Sequence, residues 1–362
     1  MTGASGSVEL AIDLDAIAAN WRTLGARHPG SVAAVVKANA YGLGAARVAP
    51  HLHAQGCRHF FVAHPAEALA LRPLLPGAML AVLNGLWPGV EHELAAAGIA
   101  PVLGSLDEIG RWSALAARLG RPLPALLHVD TGMNRLGLGA QETETLAADP
   151  GRLTGIDLLY VMTHLVSAEL PDDGMNLRQR DRFSAACARL PTAPRSLANS
   201  SGMFLGPGFA SDLARPGAAL YGINPTPGRP NPMRPVVRLR ARVLQLRAVP
   251  PGETIGYNGQ WTARRPSWIA TVSVGYADGY PRALSNRATA FFDDCPVPLV
   301  GRVSMDLSTF DVTDTPGVQP GAWLDLIGPH HDVDAMAERA GTNGYEILTS
   351  LGARYPRTYR GA

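Results

Sequence analysis

The chain has 362 residues, 46% hydrophobic and 17% charged, which suits an ordinary globular protein of about two domains and excludes a disordered one. Lys and Arg number 32 against 30 Asp and Glu, a formal charge of +2 that gives no electrostatic case for a nucleic-acid or anionic-membrane partner. No apolar stretch has the length of a membrane span, the first six residues lack the regions of a signal peptide, and the widely spaced Cys57, Cys187 and Cys295 fit reduced, buried thiols better than a disulfide framework or a zinc site, so the expectation is a soluble cytoplasmic protein without a metal centre.

Residues 10–14 read as a short strand running into a helix capped by Asp13 or Asp15. Short apolar runs then alternate with helix-periodic stretches. Strands are predicted at 32–36, 59–63, 79–83, 100–103, 125–129, 158–163 and 195–198, and helices at 44–55, 65–73, 90–97, 106–119, 143–148 and 177–190. This alternation predicts an N-terminal (β/α)8 TIM-type barrel, although a doubly wound sheet has the same periodicity. The barrel is preferred because Lys37, Asp130, His164, Asn199 and Ser200 each fall at the C-terminal end of a predicted strand, the face on which barrel enzymes build their sites. Residues 224–234, rich in Pro, Gly and Asn, read as a linker. Beyond it come strands at 236–248, 268–274, 288–292, 297–300, 308–312 and 323–327, with helices at 333–339 and 345–351. The expected division is a barrel over 1–228 and a C-terminal, mostly antiparallel β domain over 229–362, with the strand near 8–14 open to either.

The segment Ala34-Val35-Val36-Lys37-Ala38-Asn39-Ala40-Tyr41-Gly42-Leu43-Gly44 places one lysine where a buried strand gives way to a glycine-rich turn. Shielding on the strand side lowers the cost of a neutral amine and suits a Schiff base with a carbonyl cofactor. This segment resembles the pyridoxal 5′-phosphate (PLP) lysine motif of alanine racemases, departing at Leu43, where a histidine is more usual. Motifs in the family's order extend the resemblance along essentially the whole chain. They include Asp130-Thr131-Gly132-Met133-Asn134-Arg135, Met162-Thr163-His164, Arg215-Pro216-Gly217 with Tyr221-Gly222, Gly252-Glu253-Thr254-Ile255-Gly256-Tyr257, Gly275-Tyr276-Ala277-Asp278-Gly279-Tyr280 and Ser304-Met305-Asp306.

The resemblance implies a fold-type III PLP enzyme that interconverts L- and D-alanine, with cofactor and substrate roles as follows. Lys37 would hold the cofactor aldehyde. Asn199, Ser200, Gly217 and Ala218 offer glycine-rich turns and a hydroxyl for its phosphate, with Tyr41 and Tyr221 beside the same site. His164 would stack over the cofactor ring and Arg215 would face the pyridine nitrogen, keeping it unprotonated and the ring a poorer electron sink. Racemisation needs acid and base groups on opposite faces of the substrate Cα. Lys37 serves one face, and Tyr257, reaching across from the partner subunit of a homodimer, serves the other with Arg135 supplying positive charge. Tyr276 would narrow the entrance, and the Met305-Asp306 backbone would meet the substrate carboxylate.

Two departures bear on the site. His128 stands where many alanine racemases carry a carbamylated lysine that holds the arginine, so His128 or an anion is expected to replace it. Ala353 aligns with the family's C-terminal phosphate tyrosine, so no such ligand is assigned. The physiological role would be D-alanine supply for peptidoglycan, or D-alanine catabolism. A broader or serine-preferring racemase, a basic amino-acid decarboxylase and a non-catalytic PLP carrier are the alternatives. Arg215 in place of an acid disfavours the decarboxylase, and a β domain bearing Tyr257 disfavours the carrier.

Overall fold

The computed structural model describes residues 6–361 and divides into two units, one running from Ile17 to Arg234 and the other combining the residues before Ile17 with those from Pro235 onward. The chain opens with β1 (Val8–Asp13) and α1 (Leu14–Arg27), where Asp13 Oδ1 accepts the Ala16 N–H at 2.7 Å.

The first unit is a barrel. Its first strand is bent into β2 (Ser31–Val32) and β3 (Ala34–Val35), followed by α2 (Ala45–Ala54), β4 (His59–Val62), α3 (Pro65–Leu71), β5 (Met79–Val82) and α4 (Glu91–Ala97). Next come β6 (Ala100–Leu103), α5 (Leu106–Leu119), β7 (Leu123–His128), α6 (Ala140–Ala148), β8 (Ile156–Met162), α7 (Gly174–Arg189), β9 (Arg195–Ser196) and β10 (Leu213–Ala214). Strands β3 to β9 pair in order, each parallel to the next. β2 pairs in parallel with β10, Val35 N–H reaches Pro216 O at 3.1 Å, and Arg215 N–H reaches Ala198 O at 2.8 Å, which closes the ring. The last strand, only two residues long, is too short for its apolar content to have announced it. Inside the ring, Ala33, Val35, Phe61, Ala81, Ala100, Val102, Leu126, Met162 and Leu213 form one buried cluster. Each of its larger side chains contributes about 1.5–3 kcal/mol by leaving water.

The helices that follow three of the strands carry a shared device. Glu67, Glu108 and Glu142 each occupy the third position of their helix, three residues after His64, Ser105 and Gly139. From there each carboxylate reaches back to the preceding βα segment. Glu67 accepts from Ala38 N–H (2.6 Å), Glu108 from Leu86 N–H (3.2 Å) and Glu142 from Leu106 N–H (3.1 Å). An acidic side chain in a first helical turn already suits the helix dipole, and here it also ties neighbouring loops together at the C-terminal end of the barrel.

The second unit is a mostly antiparallel sheet. It contains β11 (Val237–Val249), β12 (Thr254–Ile255), β13 (Trp261–Thr262), β14 (Ser267–Val272), β15 (Thr289–Phe292), β16 (Cys295–Pro298), β17 (Ser308–Asp311) and β18 (Trp323–Ile327). Helices α8 (Val333–Ala340) and α9 (Gly344–Ser350) and a final strand β19 (Arg357–Arg360) complete it. The main path runs β16-β15-β18-β11-β1-β19, with β14 bridging β11 and β17. β1 is antiparallel to β11 and parallel to β19, so residues 8–13 pair within this sheet. Alternation is plain in β11: Val237, Leu239, Ala241 and Val243 are buried. On the opposite face Arg238 is paired with Asp325 at 2.7 Å, while Arg240 and Arg242 stack on Trp323. The final strand, Arg357-Thr358-Tyr359-Arg360, has no apolar run and was not expected from its pattern. Nor do the cysteines all behave as expected. Cys57 is buried, with burial pushing its thiol up to about 12, but Cys187 is only half-buried and Cys295 is exposed on the β15–β16 hairpin.

Candidate active site

Lys37 stands just past β3, and it is the only lysine of the chain: the remaining 31 of the 32 basic residues are arginine. That singularity is a plain compositional signal that motif reading passes over. Ala38, Asn39, Ala40 and Tyr41 follow with φ of 52°, 56°, 54° and 54°, a left-handed turn closed by Gly42. Left-handed geometry costs an L-residue about 1–2 kcal/mol, so the turn needs outside support. Asn39 Oδ1 accepts from Ala45 N–H at 2.8 Å, and the Tyr41 ring packs 4.7 Å from that of Tyr221. Tyr221 is itself buried, with its hydroxyl donating to Val35 O at 2.9 Å. It therefore fixes the end of the lysine-bearing strand. Burial first and Arg135 second hold the Lys37 amine below the usual lysine range, while Glu67 acts in the opposite direction.

Across the same end of the barrel, Arg215 is buried. One terminal nitrogen donates to Ser196 O at 2.8 Å and to the Ser196 hydroxyl, and the other donates to Thr163 O. Burial loosens its proton, yet a guanidinium stays charged at neutral pH. Its Nε has no acceptor among the described residues. Nearby, Ser200 Oγ accepts from Gly217 N–H (3.0 Å) and Ala219 N–H (3.2 Å), joining two short turns. Ser201 and Ala218 open those turns, and their own N–H groups have no acceptor among the described residues. Asn199 Oδ1 accepts from Gly202 N–H at 2.9 Å. A Cβ on Gly217 would lie 2.3 Å from the Tyr41 hydroxyl oxygen, so only glycine lets that ring close over the turn. Free N–H donors beside a buried hydroxyl are chemistry suited to a phosphate.

Arg135 lies on the loop after β7. Asp130 shapes that loop by accepting N–H bonds from Gly132, Met133 and Asn134, at 2.9, 2.9 and 3.0 Å. The Arg135 side chain is exposed and has no hydrogen-bond or ion-pair partner among the described residues, His128 included. A network missed in the sequence backs the loop: Thr131 and Thr163 hydroxyls meet at 2.8 Å, and the Gln179 amide donates to Thr131 Oγ1 and to His164 O. Polar residues inside a helix or just past a strand give no local signal of such a meeting.

His128, at the end of β7, and His164, just past β8, are both held neutral. Burial dominates in each. Arg215 and Arg135 add to it, and for His164 so do Lys37 and His128, lowering the rings to about 4 and about 3. Both values lie below the ordinary 6.5, so as pH falls through that window the unfolded chain takes up protons that the folded barrel refuses. Stability of the apo-protein is therefore expected to decline from about pH 6.5 to about pH 3, with His128 alone accounting for about 3 kcal/mol, lost by about pH 4. His128→Asn should flatten that decline in urea titrations at stepped pH. An identical slope would remove His128 as its cause.

In the sheet unit, Tyr257 sits on a short turn between β12 and β13 and is 66% exposed. Tyr276 and Met305 are brought together by backbone: Tyr276 N–H donates to Ser304 O and Ala277 N–H to Met305 O, each at 3.0 Å. A Cβ on Gly275 would lie 2.3 Å from Met305 O, so this contact also requires glycine. Asp306 is paired with Arg354 (2.7 Å), which also meets the buried Asp278 at 3.1 Å. Nothing in the sequence pattern had pointed to Arg354 as the link between these segments.

Comparison with known proteins gives a consistent result. A family model of the alanine racemase N-terminal domain matches residues 12–225, and one of the alanine racemase C-terminal domain matches residues 236–359. The chain is 60% identical over 351 residues to the alanine racemase of Acidiphilium cryptum, covering 97% of this chain and 98% of that protein. Against the alanine racemase of Brucella abortus it is 48% identical over 373 residues, covering 98% and 94%. Among solved structures, alanine racemase from Bartonella henselae with covalently bound pyridoxal phosphate superposes with a TM-score of 0.95 at 44% identity, covering 98% of this chain and 100% of that one. The biosynthetic alanine racemase of Pseudomonas aeruginosa gives 0.92 at 34% identity, covering 98% and 99%.

Proposed function

The chain belongs to the alanine racemase family, and from that membership we propose that it racemises alanine with PLP held at the barrel mouth and two bases drawn from two subunits. The observation that carries the reading is the company Lys37 keeps. A lone, half-shielded amine of lowered basicity shares the strand ends with a buried arginine and two turns, and neither the arginine's Nε nor the turns' Ser201 and Ala218 N–H groups have an acceptor among the described residues. These residues fit the cofactor. Lys37 would hold its aldehyde, the 200–201 and 217–218 turns its phosphate, and Arg215 Nε its ring nitrogen, with His164 and Tyr41 beside it. Bound PLP would supply a carbonyl for amine attachment and a ring that withdraws electrons from the substrate Cα.

The chain's own groups then divide the proton work. A lysine of lowered basicity gives up its proton more readily than an ordinary one, as a base on one face of Cα requires. Tyr257 is the group proposed for the opposite face. A phenol ordinarily titrates near pH 10, so it needs a cation, and the Arg135 guanidinium, unpartnered among the described residues, is available to a subunit seated on the mouth. Tyr276 would narrow the entrance, and the Met305-Asp306 backbone, braced by Gly275 and Arg354, would meet the substrate carboxylate. Arg215 would oppose ring protonation, keeping the electron sink weak and favouring racemisation over side reactions.

A homodimer is supported by exposed apolar surface. Leu136, Val166, Leu170 and Leu177 lie exposed on or near the loops after β7 and β8, and Tyr257, Met305 and Leu307 lie exposed on the sheet unit. Apolar surface grouped around functional loops in this way suits burial against a second copy. No helix among the described residues is long and apolar enough to cross a membrane. We place the enzyme in the cytoplasm, providing D-alanine for peptidoglycan or consuming it.

The test is to incubate the protein with PLP and L-alanine, L-serine or L-lysine and to quantify both enantiomers by chiral chromatography. Alanine should approach an equal mixture, well ahead of the other two. Bound PLP without D-alanine would return the reading to a carrier or a decarboxylase, and a preference for serine would keep the mechanism but change the substrate.

A further inference from the structure

We propose that Glu67 is a positioning residue for Lys37: its carboxylate clamps the left-handed turn that presents the lysine to the end of the neighbouring strand, and so fixes where the amine sits. The turn's own bonds, Ala40 N–H to Val36 O and Gly42 N–H to Ala38 O at 2.8 Å each, are of the kind that an α-turn of either hand makes. They do not select the strained hand seen at residues 38–41. Glu67 supplies a selecting contact. Oε1 accepts from Ala38 N–H at 2.6 Å, while Oε2 accepts from Ala63 N–H at 2.8 Å and His64 N–H at 3.1 Å. One anion thus gathers the residue after Lys37 and the two residues after β4, and bonds to an ionised acceptor are the strong kind.

The same group matters electrostatically. Lys37 shares its surroundings with Arg135 on the loop after β7, with Arg215 just past β10, and with the neutral His128 and His164. Burial and Arg135 weaken the amine's hold on its proton, and Glu67 is the carboxylate that strengthens it. Glu108 makes a comparable link, to Gly104 and Leu86 N–H groups, but away from the lysine. It is therefore a matched control.

The proposal rests on Lys37 being the cofactor lysine, yet it can be tested on apo-protein without PLP. Because Lys37 carries the only ε-amine, pulse acylation with acetic anhydride followed by peptide mass spectrometry reads its titration directly. Hydrogen exchange over residues 38–44 reads the clamp. In Glu67→Gln the segment should exchange about tenfold faster or more, and the acylation profile of Lys37 should be displaced along the pH axis. Glu108→Gln should leave both as in the parent chain. Parental exchange over 38–44, or a parental Lys37 profile, in Glu67→Gln would overturn the proposal. If Glu67→Gln does not fold, Glu67→Asp, which keeps the charge and shortens the reach, is read for the same loss of protection. Attachment of PLP to Lys37 is decided separately, by borohydride trapping on the unsubstituted chain.

Discussion

Lys37→Ala is expected to abolish every borohydride-trappable PLP adduct on a side chain and to lower racemisation by about 10⁴-fold or more, since it removes both the proposed attachment point and one of the two proposed bases. The experiment is unusually clean here. With no second lysine in the sequence, the substituted chain has no other ε-amine on which PLP could be trapped. The readout is intact-mass spectrometry after reduction, alongside chiral chromatography. A persistent reduced adduct inside the chain would mean that Lys37 is not the attachment residue. Retention of fold is checked independently by far-ultraviolet circular dichroism.

Tyr257→Phe should act on one direction of proton transfer. Loss of an acid–base group costs about 10²–10⁴-fold. In deuterium oxide, exchange of the α-hydrogen should therefore collapse for one enantiomer while persisting for the other. Equal, near-parental exchange from both would remove Tyr257 from the mechanism. The same variant tests the composite site. If Tyr257 serves the partner's lysine, a dimer of one Lys37→Ala chain and one Tyr257→Phe chain contains one intact site and one doubly impaired site. Random reassociation of the two inactive variants should then recover about a quarter of the parental activity. If both residues serve the site of their own chain, mixing recovers nothing.

The parts of this molecule legible in sequence were those governed by local pattern. Apolar runs such as His59-Phe60-Phe61-Val62 and amphipathic stretches such as Leu106–Leu119 follow their periodicities into strand and helix. The placement of Lys37, His164 and Ser200 at strand ends follows from where those runs stop. What was not legible depends on distant partners. Asn39 tolerates the left-handed region, but Ala38, Ala40 and Tyr41 have no intrinsic preference for it, and tertiary contacts hold them there. β10 is two residues long and is a strand because β2 lies beside it. The Thr131–Thr163–Gln179 network unites side chains from three elements, none of which signals the others. The glutamates at the third helical position had a local signature in the capping pattern, but their reach into the preceding loop is a property of barrel geometry.

The doubly paired first strand also bears on how the protein matures. Lys37 emerges well before its surroundings are complete: Val35 O, two residues before it, receives the Tyr221 hydroxyl from 186 positions downstream, and β2 waits for β10 before its outer edge is paired. Contacts of such sequence separation are slow to form, because the intervening chain must first be ordered. A nascent chain stalled before residue 213 therefore carries the amine without the wall that shields it. Lys37 is thus made well before the strand that completes its surroundings, which are assembled only when the last barrel strand has left the ribosome.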